Sequence, residues 1–205
     1  MKKQMKRDEL NILADKYFEV MDISETQKEK RKKATWTLFD VFMLLFIWFD
    51  EAKEYGVENT SYFLPRFQNE VQDAVKTIAP IDDYLISYIP IMAMAIYEAT
   101  KAHLNEEYFL SEERAVNLAL NESNSIVNHE ELRQAIKNGY TMKIWRTELD
   151  NRVRPTHIVM EGKKIPINEL FVVGNSLMEC PHDMTHGADA SEISNCRCWL
   201  EYAKE

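Results

Sequence analysis

The stretch Ala34-Thr35-Trp36-Thr37-Leu38-Phe39-Asp40-Val41-Phe42-Met43-Leu44-Leu45-Phe46-Ile47-Trp48-Phe49 constrains this chain more than any other. Val41 to Phe49 is unbroken, with the basic stretch Lys28–Lys33 before it and Asp50-Glu51 after it. A membrane-spanning helix needs about 20 apolar residues. This run is shorter, and Asp40 interrupts it. A charge within a span costs about 2.5–3.5 kcal/mol even on the lenient insertion scale. The stretch therefore predicts a buried helix, and membrane contact is disfavoured. A helix apolar on all sides must be covered on all sides, by the rest of the chain or by a partner protein.

The rest of the chain supplies enough material for such a cover. It has 205 residues, of which 45% are hydrophobic. With only 5 Gly and 6 Pro, a turn-dense all-β architecture is disfavoured and a mostly helical one expected. The net charge of -9 argues against a nucleic-acid-coating role, since phosphate binding needs clustered Lys and Arg. The charge is uneven. Residues 1–33 carry 10 Lys and Arg against 7 Asp and Glu, residues 34–138 carry 7 against 17, and residues 139–205 carry 8 against 10. Four of the five glycines and all 3 cysteines lie in the last third. An odd cysteine count is unusual for a disulfide scaffold. No apolar segment follows the basic N-terminus before residue 34, so no secretory signal is expected and a reducing cytoplasm is the default compartment.

Periodicity divides the chain. Residues 4–31 read as one or two amphipathic helices, 34–54 as the buried helix and 66–78 as another. Residues 81–104 read as helical, with Pro90 as a kink or fresh start. Ser111 caps a helix reaching about Ile126, and 129–138 form one more, with Gly139 just past its end. Beyond Gly139 the pattern changes to short strands at 142–147, 164–167 and 195–202, with turns at 148–152 and 161–163 and an apolar run at 171–173 closed by Gly174-Asn175. The expected class is α+β: an all-helical region, 1–138, which would carry the contacts to other proteins, then a small α+β domain, 139–205, with short antiparallel strands.

The densest pattern lies in that last part. It runs Trp145, Asp150-x-Arg152-x-Arg154-x-x-His157, Gly162, Phe171, Pro181-x-Asp183 and Asn195-Cys196-Arg197-Cys198. Its bland reading is a charge-assisted network, in which Arg152, Arg154 and His157 meet Glu148 and Asp150 and pin a loop-rich fold. A sharper alternative is zinc, with Cys180, His182, Cys196 and Cys198 as candidate ligands and His157 and His186 in reserve. If 195–202 is a strand, Cys196 and Cys198 point to one face and share a metal or form a reducible pair. A third reading is catalytic, with His157, Arg154 and Glu148 as acid, phosphate clamp and base of a metal-independent nuclease. His129-Glu130-Glu131-Leu132-Arg133 opens like a zinc-protease helix, but Arg133 stands where the second His belongs.

From about Leu118 to Leu200 the chain resembles the phage head morphogenesis family of minor head proteins similar to protein F of phage Mu. The matching elements are Glu122, Gly139, Lys143-Ile144-Trp145, Asp150 to His157, Gly162, Phe171, Pro181-His182-Asp183 and Asn195 to Cys198. Asn121 replaces a Thr common before the acid, and His182 takes the place of a small residue. The resemblance implies a low-copy virion component without enzymatic activity. It would meet portal, capsid and scaffold proteins during assembly in the host cytoplasm, and assist DNA packaging or ejection. A genome-delivered nuclease or toxin-like effector is the alternative.

Overall fold

A computed structural model describes residues 7–56 and 59–205. The part of the expected N-terminal helix at residues 4–6 lies outside them. Helix α1 spans Arg7–Phe18 and buries Leu10, Ala14 and Phe18. Helix α2 spans Glu25–Glu54, 30 residues and about 45 Å long. No break occurs near residue 33, so the expected division between 31 and 34 is wrong. Ser24 starts the helix instead, through a capping box: its hydroxyl accepts from Gln27 N at 3.3 Å and its N–H donates to Gln27 Oε1 at 3.0 Å.

The chain itself covers most of the apolar run. Leu38, Phe42, Leu45, Phe46 and Phe49 are buried among α1, α3 (Phe63–Lys76), α4 (Asp83–Ala102) and α5 (Glu112–Lys137). Asp40 and Ile47 fall on the solvent side, so the run is not apolar all round, and its core face is not a free docking surface. Among the described residues no helix is long and apolar enough to cross a membrane. Pro90 sits inside α4 without ending it.

Helix α5 differs most from the pattern read in the sequence. Ser111 caps it as expected, accepting from Arg114 N at 3.2 Å. It then continues through residues 127–128 to Lys137, so two expected helices are one. The run Asn121-Glu122-Ser123-Asn124-Ser125-Ile126-Val127-Asn128-His129 is buried throughout. Such a polar run reads as a helix end because these side chains compete with the backbone. Here they are satisfied by other elements. Gly139, at φ 72, follows the helix.

The remainder is α+β. β1 (Met142–Arg146) lies between β2 (Lys164–Pro166) and β5 (Trp199–Ala203), all antiparallel. β3 (Phe171–Val173) and β4 (Ser176–Met178) form a separate hairpin around Gly174, at φ 58. Two one-turn helices, α6 (Pro155–Ile158) and α7 (Ala190–Ile193), lie in the connections. The last strand begins at Trp199, not at residue 195. Two hydrophobic clusters meet along α5: Ile126 belongs to the helical one, while Leu132 and Ala135 belong to the one built on Trp145, Phe171 and the three cysteines.

Candidate functional site

The Asn195-Cys196-Arg197-Cys198 segment is a loop leading into β5, with Asn195 at φ 55. The strand argument for the two cysteines therefore fails, yet the loop delivers both sulfurs to one point. There they meet His157, which α6 carries. Its Nδ1 lies 3.4 Å from Cys198 Sγ and 3.6 Å from Cys196 Sγ. Cys196, Cys198 and His157 are all buried, and their ligand atoms lie within 4.8 Å of one another. On the other side of the ring, His157 Nε2 is 3.1 Å from Glu192 Oε2 on α7, and Thr156 Oγ1 donates to the same oxygen at 2.8 Å. Trp145 meets the imidazole edge-on at 5.6 Å and Phe171 at 5.2 Å.

The charges in this group settle unequally. A hydrogen bond from the Cys198 thiol holds Cys196 well below the ordinary thiol range, against the pull of burial. The same bond, with burial, pushes Cys198 well above it. Burial pulls His157 down, but the Cys196 sulfur lifts it further, and the lift wins. Both shifts favour charge on Cys196 and His157 over charge on Cys198.

The other two candidate metal ligands are elsewhere. Cys180 is buried in the cluster with Trp145 and Phe171, and burial and the carboxylates of Asp183 and Glu179 raise its thiol. His182, at φ 71, has Nε2 3.5 Å from Glu122 Oε1, and Glu122 Oε2 accepts from Tyr88. The set Cys180, His182, Cys196 and Cys198 is thus divided between separate places, and His157 replaces the first two. Loop 179–185 is organised by another group: Asp183 accepts from Glu179 N at 2.8 Å and from Thr185 N at 2.8 Å, and pairs with His186 Nδ1 at 2.8 Å. That places the reserve ligand His186 outside the cysteine site.

The expected network of Arg152, Arg154 and His157 with Glu148 and Asp150 does not form as such. Asp150 pairs with Arg197 instead, Arg154 donates to a main-chain carbonyl, and His157 turns to the cysteines and Glu192. Arg197 donates to both oxygens of Asp150, at 2.8 and 2.7 Å. Burial would raise the Asp150 carboxyl, but Arg197 and the Arg152 N–H hold it below the usual range. Arg154 donates to the Ser194 carbonyl. Lys143 is fully buried, donates to the Glu179 carbonyl at 2.7 Å and lies over the Phe171 ring. Gly162, at φ 72, lets its N–H reach the Trp145 carbonyl at 2.9 Å. Glu148, Arg154 and His157 line one small cleft, together with Cys196 and Cys198. Its interior volume of about 10 Å³ is close to that of a single water. Burial raises the Glu148 carboxyl to about 7.

The residues that hold this loop in place were not singled out from the sequence. Asn124 Nδ2 donates to the carbonyls of Cys196 and Cys198 at 3.1 and 3.2 Å, and Asn128 Nδ2 donates to the Cys198 carbonyl at 3.1 Å. Behind them, fully buried Arg31 of α2 donates to Asn124 Oδ1 at 2.9 Å and to Asn128 Oδ1 at 2.8 Å. Its guanidinium also pairs with both Glu131 oxygens at 2.9 Å. The unused clue is the polar run 121–129 itself, dense in Asn and Ser inside a helix.

A family model described as phage Mu protein F like protein matches residues 91–201. The match takes in α5, β1 to β4, the start of β5 and every motif residue above. No curated protein and no solved structure matches the chain.

Proposed function

The chain belongs to the phage Mu protein F like family of head morphogenesis proteins, and from that premise we propose that it is a low-copy structural component of the head, bound near the portal. Membership implies contact with other phage head proteins and association with the virion. The finer reading adds portal and scaffold as partners, assembly in the host cytoplasm, a place inside the capsid or at the portal, and a part in packaging or ejection. The observation that carries it is the family match over 91–201. The net negative charge of 34–138 suits protein partners better than DNA. Co-expression of the tagged full chain with the portal protein of its phage tests the reading. Co-purification is expected, and purification of the two proteins apart would contradict it.

A second reading, a nuclease-like effector, has one observation in its favour: Glu148, Arg154 and His157 share a cleft. Against it, both ring nitrogens of His157 face internal partners, the sulfurs on one side and Glu192 on the other. A general acid or base needs a ring nitrogen within reach of its substrate. We therefore assign the group a structural role. Nucleic-acid degradation by the wild type and not by His157→Ala would reverse the assignment.

A further inference from the structure

We propose that Cys196, Cys198 and His157 Nδ1 bind one Zn²⁺ ion, with Glu192 orienting the histidine from behind. This goes beyond the head-protein reading and does not depend on it.

The geometry carries the proposal. With Zn–S near 2.3 Å and Zn–N near 2.0–2.1 Å, tetrahedral angles place nitrogen and sulfur about 3.5–3.6 Å apart. The two observed separations are 3.4 and 3.6 Å. A zinc-bound histidine almost always hands its second ring N–H to a carboxylate or carbonyl, which fixes its tautomer and orientation. Glu192 Oε2, itself fixed by Thr156, stands 3.1 Å from His157 Nε2, within reach of that bond, although Nε2 is buried without a hydrogen bond in the present ring orientation.

Donor chemistry narrows the choice of metal. Two thiols and an imidazole select a soft or borderline cation such as Zn²⁺ over Mg²⁺ or Ca²⁺. The fourth coordination position falls to the cleft, which has room for about one water. Glu148 lines that cleft, and its Oε1 is buried without a hydrogen-bond partner. The loop is held from outside the ligand set: Asn124 and Asn128 fix the carbonyls of Cys196 and Cys198. Such outer-shell support accompanies metal ligands in general, and three protein ligands with one open position leave the ion an exchangeable water rather than the closed four-ligand shell of a structural zinc. The metal would tie α6 to the loop before β5, elements that share no sheet pairing.

Elemental analysis of the full chain, expressed with zinc and purified under reducing conditions, tests the site. About one Zn per chain is expected in the wild type and in Cys180→Ser, and a loss of tenfold or more in Cys196→Ser, Cys198→Ser and His157→Ala. Because those three variants can fail to fold, Co²⁺ is also titrated into reduced, metal-stripped wild type. Intense tetrahedral d–d bands and sulfur-to-cobalt charge transfer, saturating near one equivalent, are expected. Wild type that neither holds Zn nor develops the Co²⁺ spectrum overturns the proposal, as does Zn retained in the double variant Cys196→Ser/Cys198→Ser. Zn lost in Cys180→Ser while that variant stays folded also overturns it. None of these outcomes depends on whether the portal is a partner.

Discussion

Arg31 and Asn124 are 93 residues apart in the chain and joined by a buried hydrogen bond of 2.9 Å. Through it, α2 supports the amide that holds the carbonyls of Cys196 and Cys198. The helical part and the cysteine loop therefore share one polar core, and damage to α2 reaches the loop.

Arg31→Met removes the cation from this core and leaves the two Asn oxygens and Glu131 without their donor. Loss of one partner of a buried pair costs about 3–5 kcal/mol. Denaturant unfolding is expected to show a loss of that order. Arg31→Lys keeps the charge but not the planar fork, and is expected to recover only part of it. A loss below about 1 kcal/mol in Arg31→Met would mean that the network is not cooperative.

Asn124→Ala leaves the Cys196 carbonyl without this donor and strips one acceptor from Arg31. An unsatisfied buried group costs about 1–3 kcal/mol. Amide hydrogen exchange is expected to rise in 195–199 more than in α3, which lies away from the loop. Uniform acceleration across the chain would contradict the local anchoring role.

Asp150 and Arg197 make a two-point pair, with Arg197 buried and Asp150 about a third exposed. Hydrogen bonds to charged groups contribute about 1.5–3 kcal/mol, and the exposure of Asp150 argues for the lower end. A double-mutant cycle with Asp150→Asn and Arg197→Gln is expected to give a coupling energy of about 1.5 kcal/mol. Strict additivity would show that the pair contributes nothing.

A second buried cluster contributes a loss of stability on acidification. His129 stacks on Tyr84 at 3.8 Å and has Nε2 2.8 Å from Asp82 Oδ2. Burial holds the His129 imidazole below its ordinary value, despite Asp82. The unfolded chain then takes up this proton first, so stability begins to fall below about pH 6.5 and continues to fall until the folded imidazole also titrates. Burial would raise the Asp82 carboxyl, but the Leu85 N–H and His129 hold it down, so its contribution is present above about pH 4 and is lost below that. The gap in melting temperature between wild type and His129→Gln, followed from pH 7.5 to 5, is expected to move against the wild type as the pH falls, because Glu148 and His157, whose protonated forms the fold favours, act alike in both chains. Equal slopes would contradict the assignment.

Much of this architecture is legible in the sequence because local rules and tertiary packing agree. Ser111 and Gly139 bound α5, and the apolar run lies inside α2. The capping box Ser24-Glu25-Thr26-Gln27 is an equally local signal, but the apolar stripe outweighs it and places the expected boundary at residue 34. The polar run 121–129 misleads for a physical reason: its partners, Arg31 and the cysteine-loop carbonyls, are remote in sequence. The same holds at the candidate site. Cys196 and Cys198 stand out by spacing, whereas His157 replaces Cys180 and His182 only because α6 turns its ring toward them. Glu192 carries no motif that would mark it.

The most direct test of the proposed function is the protein composition of procapsids purified from cells expressing the complete head gene set, with and without the portal gene. The result expected is a few copies of this chain per particle, lost when the portal is omitted. Absence of the chain from portal-containing procapsids, or its undiminished incorporation without the portal, would contradict its place as a portal-bound head component.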